Sequence, residues 1–232
     1  MWKLVKLEWK KNNIRKYAVK AAISVLILFV MILAVSGELE GKETVELYGK
    51  GMINAAVEMF ADMTFMLMTG VMLSVYIVTG YRDGTMALMF SYPIKRKKIL
   101  MSKMLAVWIF GVIALVLCKL FLYTGLFLAS PWISVSSPGI LSGDIFAKPF
   151  FYLDILMDSA VMVSISYTVL LVGIKTKSSK ATIIAEVFVI MLTQGNIGSY
   201  TLFHNIPFYV LLAALASVAV FLCLYRVEIK DA

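Results

Sequence analysis

The chain has 232 residues, of which 61% are hydrophobic and 16% charged, and its mean hydropathy is +0.90. Soluble domains are about 45–50% apolar, so this composition excludes a water-soluble globular fold. The formal net charge of +8 does not indicate a nucleic-acid partner, because a basic excess in a membrane protein marks the segments that stay on the cytoplasmic side. We therefore predict an all-α polytopic membrane protein that forms a single transmembrane domain.

Residues 1–16 predict an amphipathic helix on the membrane surface. Its aromatic and aliphatic side chains share one helical face, and its lysines occupy the others. The apolar members are Trp2, Leu4, Val5 and Trp9. Such a helix lies in the headgroup layer with its lysines facing anionic lipid. Asn12 and Asn13 are poor helix formers, which predicts a bend before the first span.

Six apolar stretches follow that are long enough to cross a membrane, since a spanning helix needs about 20 mostly apolar residues. They run over 17–36, 54–79, 104–129, 150–173, 181–202 and 208–225. Small residues before Gly37 resemble a signal-peptide cleavage site, but the long cationic arm ahead of the first stretch favours an uncleaved span. The mildly polar segment 195–207 is a candidate re-entrant element, whose backbone must be satisfied by protein or water.

The positions of the basic residues predict the orientation. Of the 22 Lys and Arg residues, eighteen lie in the N-terminal arm, the segments 81–103 and 174–180, and the C-terminal tail, against three in the other loops. Short loops rich in Lys and Arg resist translocation. We therefore expect both termini in the cytoplasm and the chain in a bacterial cytoplasmic membrane.

The segment 82–103, between the second and third predicted spans, carries the most specific pattern. It is too polar to cross a membrane, and it predicts a short capped helix, a break at Pro93 and a basic amphipathic stretch. Asp83 or Thr85 is the candidate N-cap, and Gly84 permits the turn. The residues alone also fit a simple interfacial helix with a positively charged anchor.

The same segment resembles the cytoplasmic loop of membrane subunits of type-2 (ABC-2) ABC exporters. The matching positions are Gly84, Thr85, Pro93, Arg96 and Lys103. The sequence departs from the family pattern with Asp83 in place of Glu and Lys95 in place of a small polar residue. The surface helix, six spans and cytoplasmic termini agree with that family over essentially the whole chain.

The resemblance implies a permease that works as a homodimer or paralogous heterodimer with separate ATPase subunits, which bind ATP and Mg²⁺. The segment would act as a coupling helix seated on the ATPase. Its contact residues would be Asp83, Gly84, Thr85, Met89, Tyr92, Pro93, Arg96 and Lys97. The chain has no Gly-x-x-x-x-Gly-Lys-Ser/Thr loop, so we expect it to bind no cofactor or metal and to leave ATP hydrolysis to the partner.

Ionisable residues inside the predicted spans form a second candidate site. Glu58 and Asp62 are four apart in the second span, Asp154 and Asp158 are four apart in the fourth, and Lys119 lies deep in the third. Spacing of four puts each acidic pair on one helical face, and the depths allow Lys119 to reach Asp62 or Asp158. An intramembrane charge costs at least about 2.5–3.5 kcal/mol. The cluster is therefore either a structural ion pair or an acidic vestibule for a cationic, amphipathic substrate.

Other polar or sulfur-containing residues predict packing roles. Glu186, near the start of the fifth span, is expected to pair with Lys180 or another cytoplasmic cation. Cys118 and Cys223 lie in apolar runs and are expected to be buried hydrophobes. Methionines crowd the second span, where they suit core packing or an adaptable surface for a lipid-like cargo. They are Met59, Met63, Met66, Met68 and Met72.

The leading functional hypothesis is export of a hydrophobic or amphipathic substrate. A peptide, exported as an antimicrobial or toxin or removed for self-immunity, is implied by the resemblance alone. The alternative is a secondary transporter or channel with an ion relay through the intramembrane Asp and Lys residues. An intramembrane enzyme is disfavoured because His204 is the only histidine and the sequence contains no Gly-x-Ser-x-Gly motif.

Overall fold

The computed structural model describes residues 1–36, 52–85, 96–129, 146, 149–197, 200–201 and 206–229. These ranges are almost entirely helical, which confirms the predicted all-α fold. Five helical stretches in them are long and apolar enough to cross a membrane: Ile14–Val35, Ile53–Arg82, Arg96–Ala129, Pro149–Thr176 and Pro207–Tyr225. The chain is a multi-pass membrane protein.

Helix α1 (Trp2–Lys11) is the predicted surface helix, and it ends at the predicted bend. The Asn12 side-chain amide donates to the Glu8 carbonyl oxygen at 3.2 Å. Asn13 has a φ of +50°, in the left-handed region that asparagine tolerates better than most residues. The chain then enters the first span, α2 (Ile14–Ser36).

The second and fourth spans each contain an irregular turn. Span two consists of α3 (Met52–Leu73), a π-helical turn (Ser74–Val78) and α4 (Thr79–Arg82). Span three is a single helix, α5 (Arg96–Ala129). Span four consists of α6 (Pro149–Ile165), a 3₁₀ turn (Ser166–Thr168) and α7 (Val169–Thr176). The Thr79 hydroxyl donates to the Ser74 carbonyl oxygen at 3.1 Å, which supplies a partner within the widened π turn.

Helix α8 (Ser179–Gln194) is shorter than the stretch predicted over 181–202. It ends at Gly195, where a Cβ atom would lie 2.4 Å from the Met191 carbonyl oxygen. Strands β1 (Asn196–Ile197) and β2 (Tyr200–Thr201) then pair antiparallel before α9 (Ile206–Ile229). Sixteen residues rise about 24 Å, less than an apolar membrane core of about 30 Å.

Span two occupies the centre of the bundle. It packs against α2, α5, α6 and α8, and 56% of its most apolar window is buried, compared with 17% for the first span. The first span instead exposes aliphatic side chains, as expected of a helix that faces lipid. The core therefore lies around span two, where the intramembrane charges are also found.

Candidate functional site

The structure describes both ends of the predicted coupling segment, whereas residues 86–95, with Met89, Tyr92 and Pro93, lie outside the described ranges. Gly84 has a φ of +71°, which confirms the predicted turn, because this backbone region favours glycine. Thr85 donates its hydroxyl to the Gly80 carbonyl oxygen at 3.3 Å. The predicted N-cap stays a prediction, since the N–H groups that it would bind belong to residues outside the described ranges.

Asp83 forms an exposed ion pair with its neighbour Arg82, whose Nε lies 2.8 Å from Asp83 Oδ1. This hydrogen bond lowers the pKa of the Asp83 carboxyl, so the group is ionised at neutral pH. Arg96 and Lys97 begin α5 and are half-buried. These charges mark one end of the bundle, called here the basic end.

Helix α1 is fastened to α5 close to the coupling segment. Lys103 Nζ lies 2.9 Å from Glu8 Oε2, and these side chains are only 3% and 12% exposed. Trp9 Nε1 donates to the Ala106 carbonyl oxygen at 2.9 Å, and Val5 is buried beside them. Sequence reasoning missed the ion pair, although Glu8 is the only acidic residue among the first 36.

Lys119 joins three spans through one ammonium group. Its Nζ lies 2.7 Å from Asp62 Oδ1 on span two and also binds Asp158 Oδ2 on span four. Lys119 and Asp62 are each 1% exposed, and Asp158 is 19% exposed. The sequence allowed either bridge, and the structure forms both. These three residues are called the charge triad below.

The remaining residues of the predicted charge cluster, Glu58 and Asp154, differ in their surroundings. One turn from Asp62, Glu58 Oε1 accepts a hydrogen bond from the Tyr123 hydroxyl at 3.1 Å. The Tyr123 ring packs edge-on against Phe151, with centroids 5.2 Å apart. Asp154 is exposed on α6. In the ranges that the structure describes, no three His, Cys, Asp or Glu side chains form a metal-binding group.

Glu186 lies where sequence reasoning did not expect it. It is fully buried, and within the part of the chain that the structure describes neither carboxyl oxygen has a hydrogen-bond partner. The predicted pairing with Lys180 is absent. Lys180 is exposed, because residues six apart project from different faces of a helix. No feature of the local sequence indicated this burial.

An apolar cleft of about 430 Å³ opens between the first and third spans. Small side chains of α2 form one wall and aromatic rings form much of the other. Its lining includes Ala18, Ala21, Ala22, Phe65, Phe110 and Cys118. Cys118 is buried as predicted, and so is Cys223. The cleft therefore reaches Cys118, the neighbour of Lys119 in the sequence.

Comparisons with known proteins extend over nearly the whole chain. Residues 4–195 match the family described as ABC-2 family transporter protein. The Uncharacterized protein YcbO of Bacillus subtilis (strain 168) is 22% identical over 234 residues, covering 99% of each chain. No solved structure matches.

Proposed function

The chain belongs to the ABC-2 transporter family, and on that premise we propose that it is the membrane subunit of an ATP-driven exporter. Members of this family are transport subunits that normally work with an ABC ATPase. The match over residues 4–195 is the observation that carries the proposal. ATP and Mg²⁺ are bound by the ATPase, and this chain supplies the membrane path.

Within the segment 82–103, residues 82–98 are proposed to be the coupling helix that contacts the ATPase. The turn at Gly84 and the charged pair beside it support this role. Helix α5 runs without a break from Arg96 to Ala129, so a push at Arg96 is carried about 35 Å along the helix to Lys119. Because Lys119 binds spans two and four, the three spans move together.

Six spans with both termini in the cytoplasm are proposed, with α8 as the fifth. Its first residue, Ser179, contacts Thr79 at the basic end, with the two hydroxyl oxygens 3.3 Å apart. Its last turn reaches span two further along, where Thr193 Oγ1 lies 3.9 Å from Met66 Sδ. The helix therefore rises into the bundle antiparallel to span two.

The substrate is proposed to be hydrophobic or amphipathic, with a peptide as the first candidate. The apolar cleft between the first and third spans and the methionines of span two support an apolar cargo. Two copies of the chain, or this chain with a paralogue, would form the complete path. The peptide class itself comes from the family resemblance.

Co-purification tests this function. The chain is expressed with candidate ABC ATPases from the same genome, and wild type is compared with Gly84→Val and Asp154→Asn. Valine is disfavoured at a φ of +71°, so Gly84→Val is expected to lose the ATPase. Asp154→Asn alters an exposed carboxyl away from the basic end and is expected to keep it.

A folded wild-type chain that retains no ATPase would contradict the proposal. So would equal retention by wild type and Gly84→Val. In that case the charge triad becomes the place to test the alternative, gradient-driven transport through Asp62, Lys119 and Asp158, by measuring uptake in vesicles that contain no ATP.

A further inference from the structure

A carboxyl group is enclosed between three spans towards the basic end. Glu186 of α8 is fully buried, and both of its side-chain oxygens lack a hydrogen-bond partner among the residues that the structure describes. Its side chain packs directly on Gly70 of span two, where a Cβ atom would lie 2.7 Å from Glu186 Cγ and 3.0 Å from Cδ. This close contact leaves no space on that side for a metal ion or a hydrated cation.

Ser166, on the 3₁₀ turn of span four, has a hydroxyl close enough to interact with the Glu186 carboxyl group. Its hydroxyl donates to the Met162 carbonyl oxygen at 3.4 Å, which leaves the lone pairs of its oxygen free to accept a hydrogen bond. Ser74, one turn from Gly70 on span two, has a buried hydroxyl without a partner. Either hydroxyl can accept a hydrogen bond from a carboxylic acid as well as donate one, and neither supplies the positive charge that would stabilise an ionised carboxylate.

Charged groups do not compensate Glu186 either. The ionisable side chains on the elements around it are Glu58, Asp62, Tyr76, Tyr167 and Lys175. The Asp62 carboxylate is paired with Lys119, and it lies about 12 Å along span two from Gly70. The Tyr167 hydroxyl donates to the Met104 carbonyl oxygen. Lys175, the one cation of the set, is exposed at the basic end.

An ionised carboxylate in this position would be buried in the membrane without a counter-charge, which is among the most unfavourable arrangements in a protein. A carboxylic acid avoids that penalty, and its O–H gives Ser166 Oγ a donor. We propose that Glu186 is a proton-binding site, occupied in this conformation, whose proton exchanges with water only when α8 separates from span two at Gly70. The proton comes from hydronium and returns to water, so no other reactant is needed.

Infrared spectroscopy of the purified full-length chain tests this site directly. The protein is held in a detergent without ester groups, because lipid esters absorb near the carbonyl stretch of a protonated carboxylic acid. Wild type is expected to show this band at neutral pH and Glu186→Gln to lack it. Glu8→Gln, which removes an ion-paired carboxylate, should leave the band unchanged. If Glu186→Gln does not fold, Glu186→Asp keeps an acid at the site and should shift the band.

Transfer into D₂O tests the exchange route. Gly70→Ala adds a methyl group against the flexible Glu186 side chain, which weakens the contact between α8 and span two. The deuterium shift of the band is therefore expected at least about tenfold faster than in wild type. That factor corresponds to about 1.4 kcal/mol of opening free energy. Gly111→Ala is the matched control. Its Cβ atom would lie 3.1 Å from Val163 and 3.2 Å from Thr69, and its nearest atoms include none of Glu186, so wild-type exchange is expected.

A wild-type spectrum without the acid band, or a band that both Glu186 variants leave unchanged, would overturn the proton site. Equal exchange rates in Gly70→Ala, Gly111→Ala and wild type would overturn the exchange route. Both experiments use the chain alone. Their failure is therefore distinct from failure of the exporter proposal, which depends on binding an ATPase.

Discussion

The charge triad and Glu186 are two buried acidic sites with opposite surroundings. In the triad, the Lys119 ammonium binds carboxylates from two other spans. Among the described residues, neither carboxyl oxygen of Glu186 has a hydrogen-bond partner, and no cation lies beside it. A paired charge holds its helices together, because separating them leaves each partner uncompensated. A neutral acid imposes no such constraint, so the helices around Glu186 are freer to separate.

The side chains that surround the two sites also differ. Close to the triad, Tyr123 and Phe151 fill the space with aromatic rings. Around Glu186 the helices meet through small residues, and at Gly173 a Cβ atom would lie 2.5 Å from Thr182 Oγ1. Small residues let membrane helices approach closely, so the difference that favours opening is the ion pair, which holds the spans at the triad and is lacking at Glu186. We expect the triad to be the fixed part of the bundle and the Glu186 region to be the part that opens.

Removing the triad's cation should have the largest effect. Lys119→Met leaves two carboxylates, Asp62 and Asp158, facing each other without a counter-charge, and breaking a buried ion pair costs about 3–5 kcal/mol. We expect a large fall in thermal stability in detergent. It is measured by tryptophan fluorescence during heating and by the fraction of protein that still elutes as a single peak in size-exclusion chromatography.

A charge-free triad is the matched control for that experiment. The triple variant Lys119→Met, Asp62→Asn, Asp158→Asn should recover most of the lost stability, because no buried charge remains. If Lys119→Met melts at the wild-type temperature, the triad does not lock the spans.

Breaking the pair between α1 and α5 should have an intermediate effect. Glu8→Gln removes one partner of a less completely buried pair, and hydrogen bonds to charged groups contribute about 1.5–3 kcal/mol. Helix α1 should loosen from α5, which would expose Trp9 to water and shift its fluorescence to longer wavelength. A double-mutant cycle with Lys103→Met should show that the two changes are not additive; additive effects would mean that the pair contributes nothing.

Glu186→Gln should have the smallest effect. If Glu186 is already neutral, an amide of the same shape changes stability by no more than about 1 kcal/mol. The thermal transition of this variant, measured beside that of Asp62→Asn, checks the difference between the sites. A fall as large as that of Lys119→Met would show that Glu186 is ionised and paired.

The parts of the fold that depend on local sequence were predictable. The helix Trp2–Lys11, its bend at Asn12 and Asn13, and the turn at Gly84 each follow from propensities within a few residues. The triad followed from spacing and depth, because helical rise fixes both along a membrane-spanning segment. The early end of α8 at Gly195 was missed because hydropathy does not distinguish a helix from other apolar backbone.

The contacts that depend on helix rotation were not predictable from the sequence. Glu8 and Lys103 are 95 positions apart, and their pairing requires the docking angle of α1 on α5. Whether Glu186 faces lipid, water or the core is decided by how α8 packs on span two at Gly70. Such interfaces arise from side-chain fit between distant segments, which hydrophobic periodicity does not encode.

The most direct test of the account measures movement at both ends of the bundle when the partner ATPase binds ATP. Both cysteines of the chain are first replaced by alanine. Spin labels are then placed on pairs of exposed residues. The pair Lys98 and Lys180 reports on the basic end, and the pair Thr124 and Tyr152 reports on the opposite end. The account predicts an ATP-dependent distance change between Lys98 and Lys180 that Gly84→Val abolishes, and a constant distance between Thr124 and Tyr152. No ATP-dependent change at the basic end, or an equal change at both ends, would contradict it.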